Sequence, residues 1–331
     1  MDSSPLYPLR FEPIYQYRLW GGRRLSSLLS TPLPGNGPIG EAWVLSDRDD
    51  HQSQVVDGPL KGRTIGDLMA HFREQLMGKW ASRFPRFPLL LKFLDAQEML
   101  SVQVHPSDAH PEFLPPGENG KTEAWVVIDA EKGSRIYAGL RPATTAADLR
   151  QSLANDTIAE HLKCIAPKPG DAVFIPAGTV HTLGGGVVVF EVQQNSDVTF
   201  RLYDWGHVDA KTGQPRPLQI DQAFACMNLD VAAGGLVAPC IETVSPAKRE
   251  RLFDCEAFRL CRLIGQAPFT VGATAEPRVL ICIDGSGQIE SDRISYTVGK
   301  GDTWLLPADS GVCGFRPSGE VTLLEIAIQG L

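Results

Sequence analysis

Three short stretches of the chain carry the residue types from which a metal centre is built. In Ser101-Val-Gln-Val-His-Pro106 polar and apolar residues alternate. On a strand, that alternation sends Ser101, Gln103 and His105 to one face and Val102 and Val104 to the other. Gly120-Lys-Thr-Glu-Ala-Trp125 places Lys121 and Glu123 on a shared face by the same period. Pro176-Ala-Gly-Thr-Val-His181 puts a histidine at the end of a tight turn. Each residue alone is ordinary: a histidine before proline is usually a turn residue, a strand glutamate is usually solvated, and a lone glutamine carries almost no signal. Brought together in one barrel, Gln103, His105, Glu123 and His181 offer two imidazoles, a carboxylate and an amide oxygen. This donor set suits zinc and would accept iron, manganese or cobalt. The site need not be closed, because zinc with four ligands can expand to five when water or substrate binds. One carboxylate against a dication leaves the centre net positive, which favours an anionic substrate.

Short strands have to supply that convergence. From Phe87 the chain reads PLLLKFLDA, LSVQVHP, TEAWVVIDA and SRIYAGL, and later DAVFIPAG, GVVVFEVQQ and VTFRLYDW. Residues 255–331 are strand-like almost throughout, in short segments separated by Gly, Asp, Ser and Pro. The pattern predicts a mainly β protein built from jelly-roll barrels. Residues 1–60 read as loop-rich, with short apolar pieces such as Glu41-Ala-Trp-Val-Leu-Ser46. Two helical insertions interrupt the strands. The first, about 64–80, has apolar residues at 65, 68, 69, 72 and 76 behind Thr64 as a candidate N-cap, and the second spans about 144–165.

An internal echo predicts two barrels. Gly170-Asp-Ala-Val-Phe-Ile-Pro-Ala177 recurs as Gly301-Asp-Thr-Trp-Leu-Leu-Pro-Ala308, and Trp125-Val-Val-Ile-Asp129 as Leu280-Ile-Cys-Ile-Asp284. In that alignment Val312 stands opposite His181 and Arg278 opposite Glu123. The second copy keeps the turn residues and lacks the metal-type ones, so the scaffold does not need them. The expected division is a metal-bearing catalytic domain at 1–225, insertions included, and a degenerate barrel without metal ligands at 226–331. The loop from Pro106 to Gly120, between two metal-bearing strands, is expected to form a rim or lid.

Composition excludes several classes. A length of 331 residues suits about two domains. The net charge of −8 argues against nucleic acid or an anionic membrane as partner. Hydrophobic residues at 43% with 21% charged rule out disorder and a coiled coil for most of the chain. No apolar run reaches the ~18 residues of a spanning helix, and the start, MDSSPLYPLRF, does not read as a secretory signal. Seven cysteines at wide spacings, with no CxxC, read as free thiols in a reducing cytoplasm rather than as a zinc site. A phosphate-binding GxxxxGK[ST] loop is absent, so no nucleotide cofactor is implied.

The strings PLLLKFLDAQEMLSVQVHPSD, GKTEAW, GDAVFIPAGTVHTLGGG and EVQQNSDVTFRLYDWG, with RLWGGRRL and IGEAWVLS before them, closely resemble the zinc-dependent type I mannose-6-phosphate isomerases, the short bacterial form in particular. The resemblance runs from about residue 8 to 220 and is weak over the C-terminal hundred residues. It implies two cupin-type jelly-roll β-barrels with helical insertions, one zinc ion per chain, and interconversion of mannose 6-phosphate and fructose 6-phosphate. The family's metal ligands fall on Gln103, His105, Glu123 and His181. Its catalytic arginine falls on Arg201, its phosphate-contacting positions on Lys92 and Ser101, and Lys121 lies beside the metal. Ala124 stands where the family usually has a bulkier residue, and Asn195 where it can carry Ser; neither departure removes a ligand.

The implied reaction moves a proton between C2 and C1 through an enediolate, so it needs a base and positive charge for the oxyanion. Arg201, permanently charged and planar, is a poor base. Lys121 could serve if the metal and burial lower its pKa. Glu191, on a strand face with Gln193 and Asn195, is the second candidate, and the sequence does not choose between them. The competing readings are a non-catalytic sugar-phosphate-binding cupin, a metal cupin isomerase acting on another sugar, and an iron oxygenase. The surplus Gln103 weighs against the oxygenase. The expected partner is a small-molecule sugar phosphate, and the sequence leaves monomer and homodimer open.

Overall fold

Leu89–Ala96, Glu123–Ala130 and Val187–Gln194 are apolar runs long enough to bury both faces, and they pair side by side at the centre of a seven-stranded sheet. The computed structural model describes residues 6–230 and 233–330. The sheet runs Gly235–Val237, Ala172–Ile175, Glu123–Ala130, Val187–Gln194, Leu89–Ala96, Glu41–Leu45, Ile14–Gln16, all antiparallel. One face turns Trp125, Val127, Val189 and Leu94 into a barrel interior with Trp20, Ile175 and Leu183. A five-stranded sheet, Leu162–Ile165, Ile136–Leu140, His181–Leu183, Val102–Val104, Phe200–Tyr203, forms the opposite wall.

A second pair of sheets follows the same plan. Seven strands run Leu9–Arg10, Thr303–Leu306, Arg278–Asp284, Val321–Ile328, Phe258–Gly265, Lys248–Asp254, Cys240–Thr243. Four more, Phe269–Gly272, Val312–Pro317, Ser286–Ser291 and Ile294–Gly299, complete it around a core that includes Leu280, Trp304, Phe315 and Leu323. The protein is therefore a mainly β fold of two cupin-type barrels.

The outer faces of the two seven-stranded sheets share one core. Leu91, Phe93, Val126, Phe190 and Val192 from the first join Phe258, Leu260, Val279, Ile281 and Ile326 from the second. The chain also crosses between barrels: Leu9–Arg10 pairs with Thr303–Leu306, and Gly235–Val237 pairs with Ala172–Ile175.

The echo seen in the sequence is an equivalence of register. Ile175 pairs with Glu123 as Leu306 pairs with Arg278, and Val173 pairs with Trp125 as Trp304 pairs with Leu280. The turns match bond for bond. Gly170 N–H donates to Val127 O and Gly301 N–H to Cys282 O, both at 2.8 Å. Asp171 and Asp302 each accept at Oδ2 from the N–H three residues earlier, at 2.9 and 2.8 Å. The glycines adopt φ of +88° and +86°, the left-handed region in which a β-carbon is strained, which is why glycine recurs there.

Thr64 caps the first insertion as expected: its Oγ1 accepts from Asp67 N–H and Asp67 accepts back from Thr64 N–H. The helix breaks at Phe72 into Ile65–His71 and Arg73–Met77, with a 3₁₀ turn at Gly78–Trp80. The second insertion is shorter than its apolar spacing suggested. The helix is Ala146–Ala154, a 3₁₀ turn covers Ile158–His161, and Leu162–Ile165 is a strand pairing with Ile136–Leu140. Asp156, at φ +58°, ends the helical path, and the vacant edge of the five-stranded sheet captures the apolar residues beyond it. Glu41–Leu45, within the stretch read as loop-rich, is a fully buried strand. No described helix is long and apolar enough to cross a membrane.

Candidate active site

The five-stranded sheet lines up Arg201, Gln103 and His181 as cross-strand neighbours. The facing seven-stranded sheet lines up Trp125, Glu191, Lys92 and Trp43. Glu123, one pleat before Trp125, points at the histidines. Its Oε1 lies 3.2 Å from His181 Nε2 and its Oε2 3.4 Å from His105 Nε2. All three side chains are buried, and their ligand atoms lie within 4.8 Å of one another.

The protonation pattern inside this cluster is set from behind. His105 Nδ1 faces Val198 O at 2.8 Å and His181 Nδ1 faces Thr179 O at 2.9 Å. A carbonyl accepts only, so each Nδ1 carries the proton and each Nε2 presents a lone pair to the centre. Gln103 Nε2 lies 3.1 Å from His181 Nε2; to act as a ligand the amide turns over and presents Oε1. Lys121 Nζ stands 3.0 Å from Glu123 Oε2, yet neither buried oxygen of Glu123 receives a well-directed hydrogen bond. Lone pairs of two imidazoles and a carboxylate facing each other at these distances repel unless a cation lies among them. The residues fit a divalent metal ion.

Beside the cluster is a cavity of about 480 Å³ lined by Lys92, Ser101, Gln103, Lys121, Glu191 and Arg201. Ser101 and His105 flank the short strand Val102–Val104, and the valines pack on the opposite face. Glu191 Oε2 accepts from Trp125 Nε1 at 2.7 Å, while Oε1 is 3.4 Å from Lys92 Nζ. Lys92 is only 4% exposed and lies over the Trp43 ring at 5.0 Å.

Charge in this confined space acts on both base candidates. Burial raises the Glu191 pKa, the Glu123 carboxylate raises it further, and Lys92 and Lys121 only partly oppose them. Burial disfavours the Lys121 charge, but Glu123, Glu191 and Asp197 outweigh burial and raise its pKa. Of the two influences that would make Lys121 a base, metal and burial, burial does act in that direction, but it also brings three carboxylates to the ammonium that oppose it. Burial, and then the Lys121 charge, push His105 down to about 3, which keeps its ring neutral as a ligand requires.

Several lining residues escaped the sequence reading. Arg18 grips Glu41 through two bonds of 2.9 and 3.0 Å, and Glu41 also accepts from Trp43 Nε1. Asp197, Asp209 and Arg216 line the cavity as well. The available signal was the charged pair within RLWGG and IGEAW, two strings already singled out. The Pro106–Gly120 loop contributes no residue to the described lining. It is pinned away by Arg48–Glu118 and by Gly120 N–H donating to Asp108. The hairpin Val208–Asp209/Gln214–Pro215 borders the cavity instead, through Asp209, and its Lys211 sits 3.4 Å over the Tyr17 ring. Asn195 turns from the Glu191 face and donates to Asp47 O and Phe87 O.

Residues 9–140 match the family model for the catalytic domain of type I phosphomannose isomerase. The chain is 35% identical over 319 residues to mannose-6-phosphate isomerase ManA of Bacillus subtilis (strain 168), covering 94% of this chain and 95% of the relative. It is 33% identical over 300 residues to the mannose-6-phosphate isomerase of Streptococcus mutans, covering 91% and 92%. The crystal structure of a mannose 6-phosphate isomerase from Bacillus subtilis superposes with a TM-score of 0.89 at 30% identity, over 97% of this chain and 99% of that one. The His–Glu–His cluster thus sits in a fold shared along nearly the whole length of these relatives, and the chain belongs to the type I phosphomannose isomerase family of enzymes.

Proposed function

We propose that the protein interconverts mannose 6-phosphate and fructose 6-phosphate, with one zinc ion per chain held by Gln103, His105, Glu123 and His181. The observation that carries this reading is a buried carboxylate that receives no well-directed hydrogen bond, facing two imidazole lone pairs, beside a cavity that also holds Glu191, Lys121 and Arg201. When bound, the zinc ion supplies positive charge for the oxyanion that develops as the substrate loses a proton. Glu191, held by Trp125 at one oxygen, takes the proton from C2 with the other and returns it to C1 of the enediolate. Lys121 keeps its charge and donates a hydrogen bond to the sugar oxygens. Arg201 adds a permanent charge on the opposite wall, where it orients the anion rather than carrying a proton. Ser101 contacts the sugar, and Lys92 stands behind Glu191. The described cysteines are all unpaired, which suits a reducing compartment, and we assign the protein to the cytoplasm.

The test is one assay. Purified protein is given mannose 6-phosphate, fructose 6-phosphate is followed, and the assay is repeated after chelation and after zinc add-back. Turnover that is lost with chelator and restored by zinc is expected. Stoichiometric metal without isomerisation would overturn the substrate, and a metal-free, inactive protein that binds sugar phosphate would make it a binder.

A further inference from the structure

We propose that Arg216 is a specificity-determining residue which, together with Arg201, receives the phosphate dianion of the substrate on the edge-strand side of the cavity. The inference rests on the isomerase reading above and assigns a residue to it.

The argument is an account of charge. Five cations line the cavity: Arg18, Lys92, Lys121, Arg201 and Arg216. Arg18 is held by Glu41, Lys92 lies against Glu191, Lys121 against Glu123, and Arg216 is gripped by Asp204. Among the described residues, Arg201 has no carboxylate within ion-pair distance. Its one side-chain hydrogen bond runs from Nη1 to Pro217 O at 2.9 Å, and its buried Nε has no acceptor. Burial and the nearby Arg216 charge disfavour its ionised form, and the Asp204 carboxylate offsets them only in part. Two guanidiniums held close, one of them unpaired and partly desolvated, are unfavourable until an anion joins them.

Arg216 is placed for that task. It spends Nε and Nη2 on Asp204, at 2.9 and 2.5 Å, which fixes the plane of the guanidinium and leaves the Nη1 edge for a ligand. Asp204 is buried and is also approached by His207 Nδ1 at 3.5 Å. Lys92, one of the two phosphate positions implied by resemblance, is poorly suited: its ammonium is buried against Glu191 over the Trp43 ring. Geometry agrees. Arg201 lies two strands from His181, about 10 Å at the usual strand spacing. An open-chain hexose phosphate spans that gap with C1 and C2 at the metal ligands and its phosphate between the arginines. An unphosphorylated sugar would leave Arg201 beside the Arg216 charge with no anionic partner of its own.

The test uses the zinc-loaded enzyme and its Arg216→Gln and Arg216→Lys variants. Kinetics are measured with mannose 6-phosphate, binding of inorganic phosphate is measured by calorimetry, and zinc content and circular dichroism are recorded. Arg216→Gln is expected to raise KM about tenfold or more, to change kcat less, and to weaken phosphate binding by a similar factor, at wild-type zinc content. Arg216→Lys keeps the charge and loses the fork, so it should fall between. Unchanged KM and phosphate affinity in a folded Arg216→Gln would overturn the proposal. If that variant does not fold, unchanged values in Arg216→Lys would do so. A wild type that binds phosphate through Arg216 yet does not isomerise mannose 6-phosphate would support the anion site and sink the isomerase reading instead.

Discussion

Glu123 is the residue on which the site turns. Its carboxylate is buried, which opposes its charge, but the Lys121 ammonium beside it holds its pKa well below the ordinary value, and neither oxygen receives a directed hydrogen bond. Such a group is stabilised by what binds it. His181→Ala is therefore expected to lose zinc and activity while the protein stays folded; Val312 occupies the aligned position in the second barrel without harm to that fold. Metal analysis and circular dichroism check this, and zinc retained at full activity would refute the ligand set. Glu191→Gln should keep zinc and lower kcat by about 10²–10⁴-fold, the usual range for a lost general base; wild-type kcat would pass that role to Lys121. Glu41 carries a pH prediction. Burial opposes its charge, but the charges of Arg18 and Lys92 and hydrogen bonds from Trp43 and Arg18 hold its pKa down at about 2, against an ordinary value of 4.5. A depressed folded pKa contributes stability above the unfolded value and loses it as pH falls. The contribution should thus fade between pH 4.5 and about 2. Acid unfolding of Glu41→Gln should show a smaller loss over that interval than the wild type.

At the scale of elements, turns position the chemistry. The Gly-Asp turn before Ala172–Ile175 sets the register that puts Glu123 opposite Ile175, and the same turn in the second barrel puts Arg278 opposite Leu306. One device thus serves the copy that carries the His–Glu–His cluster and the copy that has Arg278 and Val312 at the aligned positions. The capping box of Thr64 and Asp67 starts the first insertion, whose Leu68, Met69, Leu76 and Met77 enter the core shared by the barrels. Thr64→Ala should cost about 1 kcal/mol in urea unfolding without changing KM, since the cap lies outside the cavity. A changed KM would show the insertion reaching the site.

At the scale of the molecule, the barrels are joined by a common core rather than by a linker. The first strand pairs with the second barrel, and Gly235–Val237 pairs with the first. The division at 225/226 is therefore our proposal for the covalent boundary, with each barrel borrowing a strand across it. Phe258 lies fully buried between the two seven-stranded sheets. Phe258→Ala should destabilise the protein by about 3–5 kcal/mol and release zinc at lower denaturant, although the substitution is in the barrel without metal ligands. Unchanged zinc release beside a lost second-barrel transition would show that the barrels unfold independently.

The sequence by itself determined what local pattern can encode. Period-two alternation put Ser101, Gln103 and His105 on one face, the repeated Gly-Asp-x-x-x-x-Pro-Ala marked the duplication, and the RLWGG, SVQVHP, GKTE and PAGTVH strings carried the family. It could not determine whatever depends on which strands become neighbours. Leu162–Ile165 read as helix because its apolar spacing fits both periods, and a free sheet edge decided for strand. Lys121 reads from sequence as a base if the metal and burial lower its pKa; tertiary packing also set Glu123, Glu191 and Asp197 around it, and their charge opposes burial. The hairpin at Val208–Pro215, rather than the Pro106–Gly120 loop, borders the cavity, and Arg18 and Arg216 reach the site from segments outside the metal-bearing strings. Spacing along a chain fixes the face a side chain takes on its own strand; the pairing of strands far apart in sequence fixes which charges it meets, and through them its chemistry.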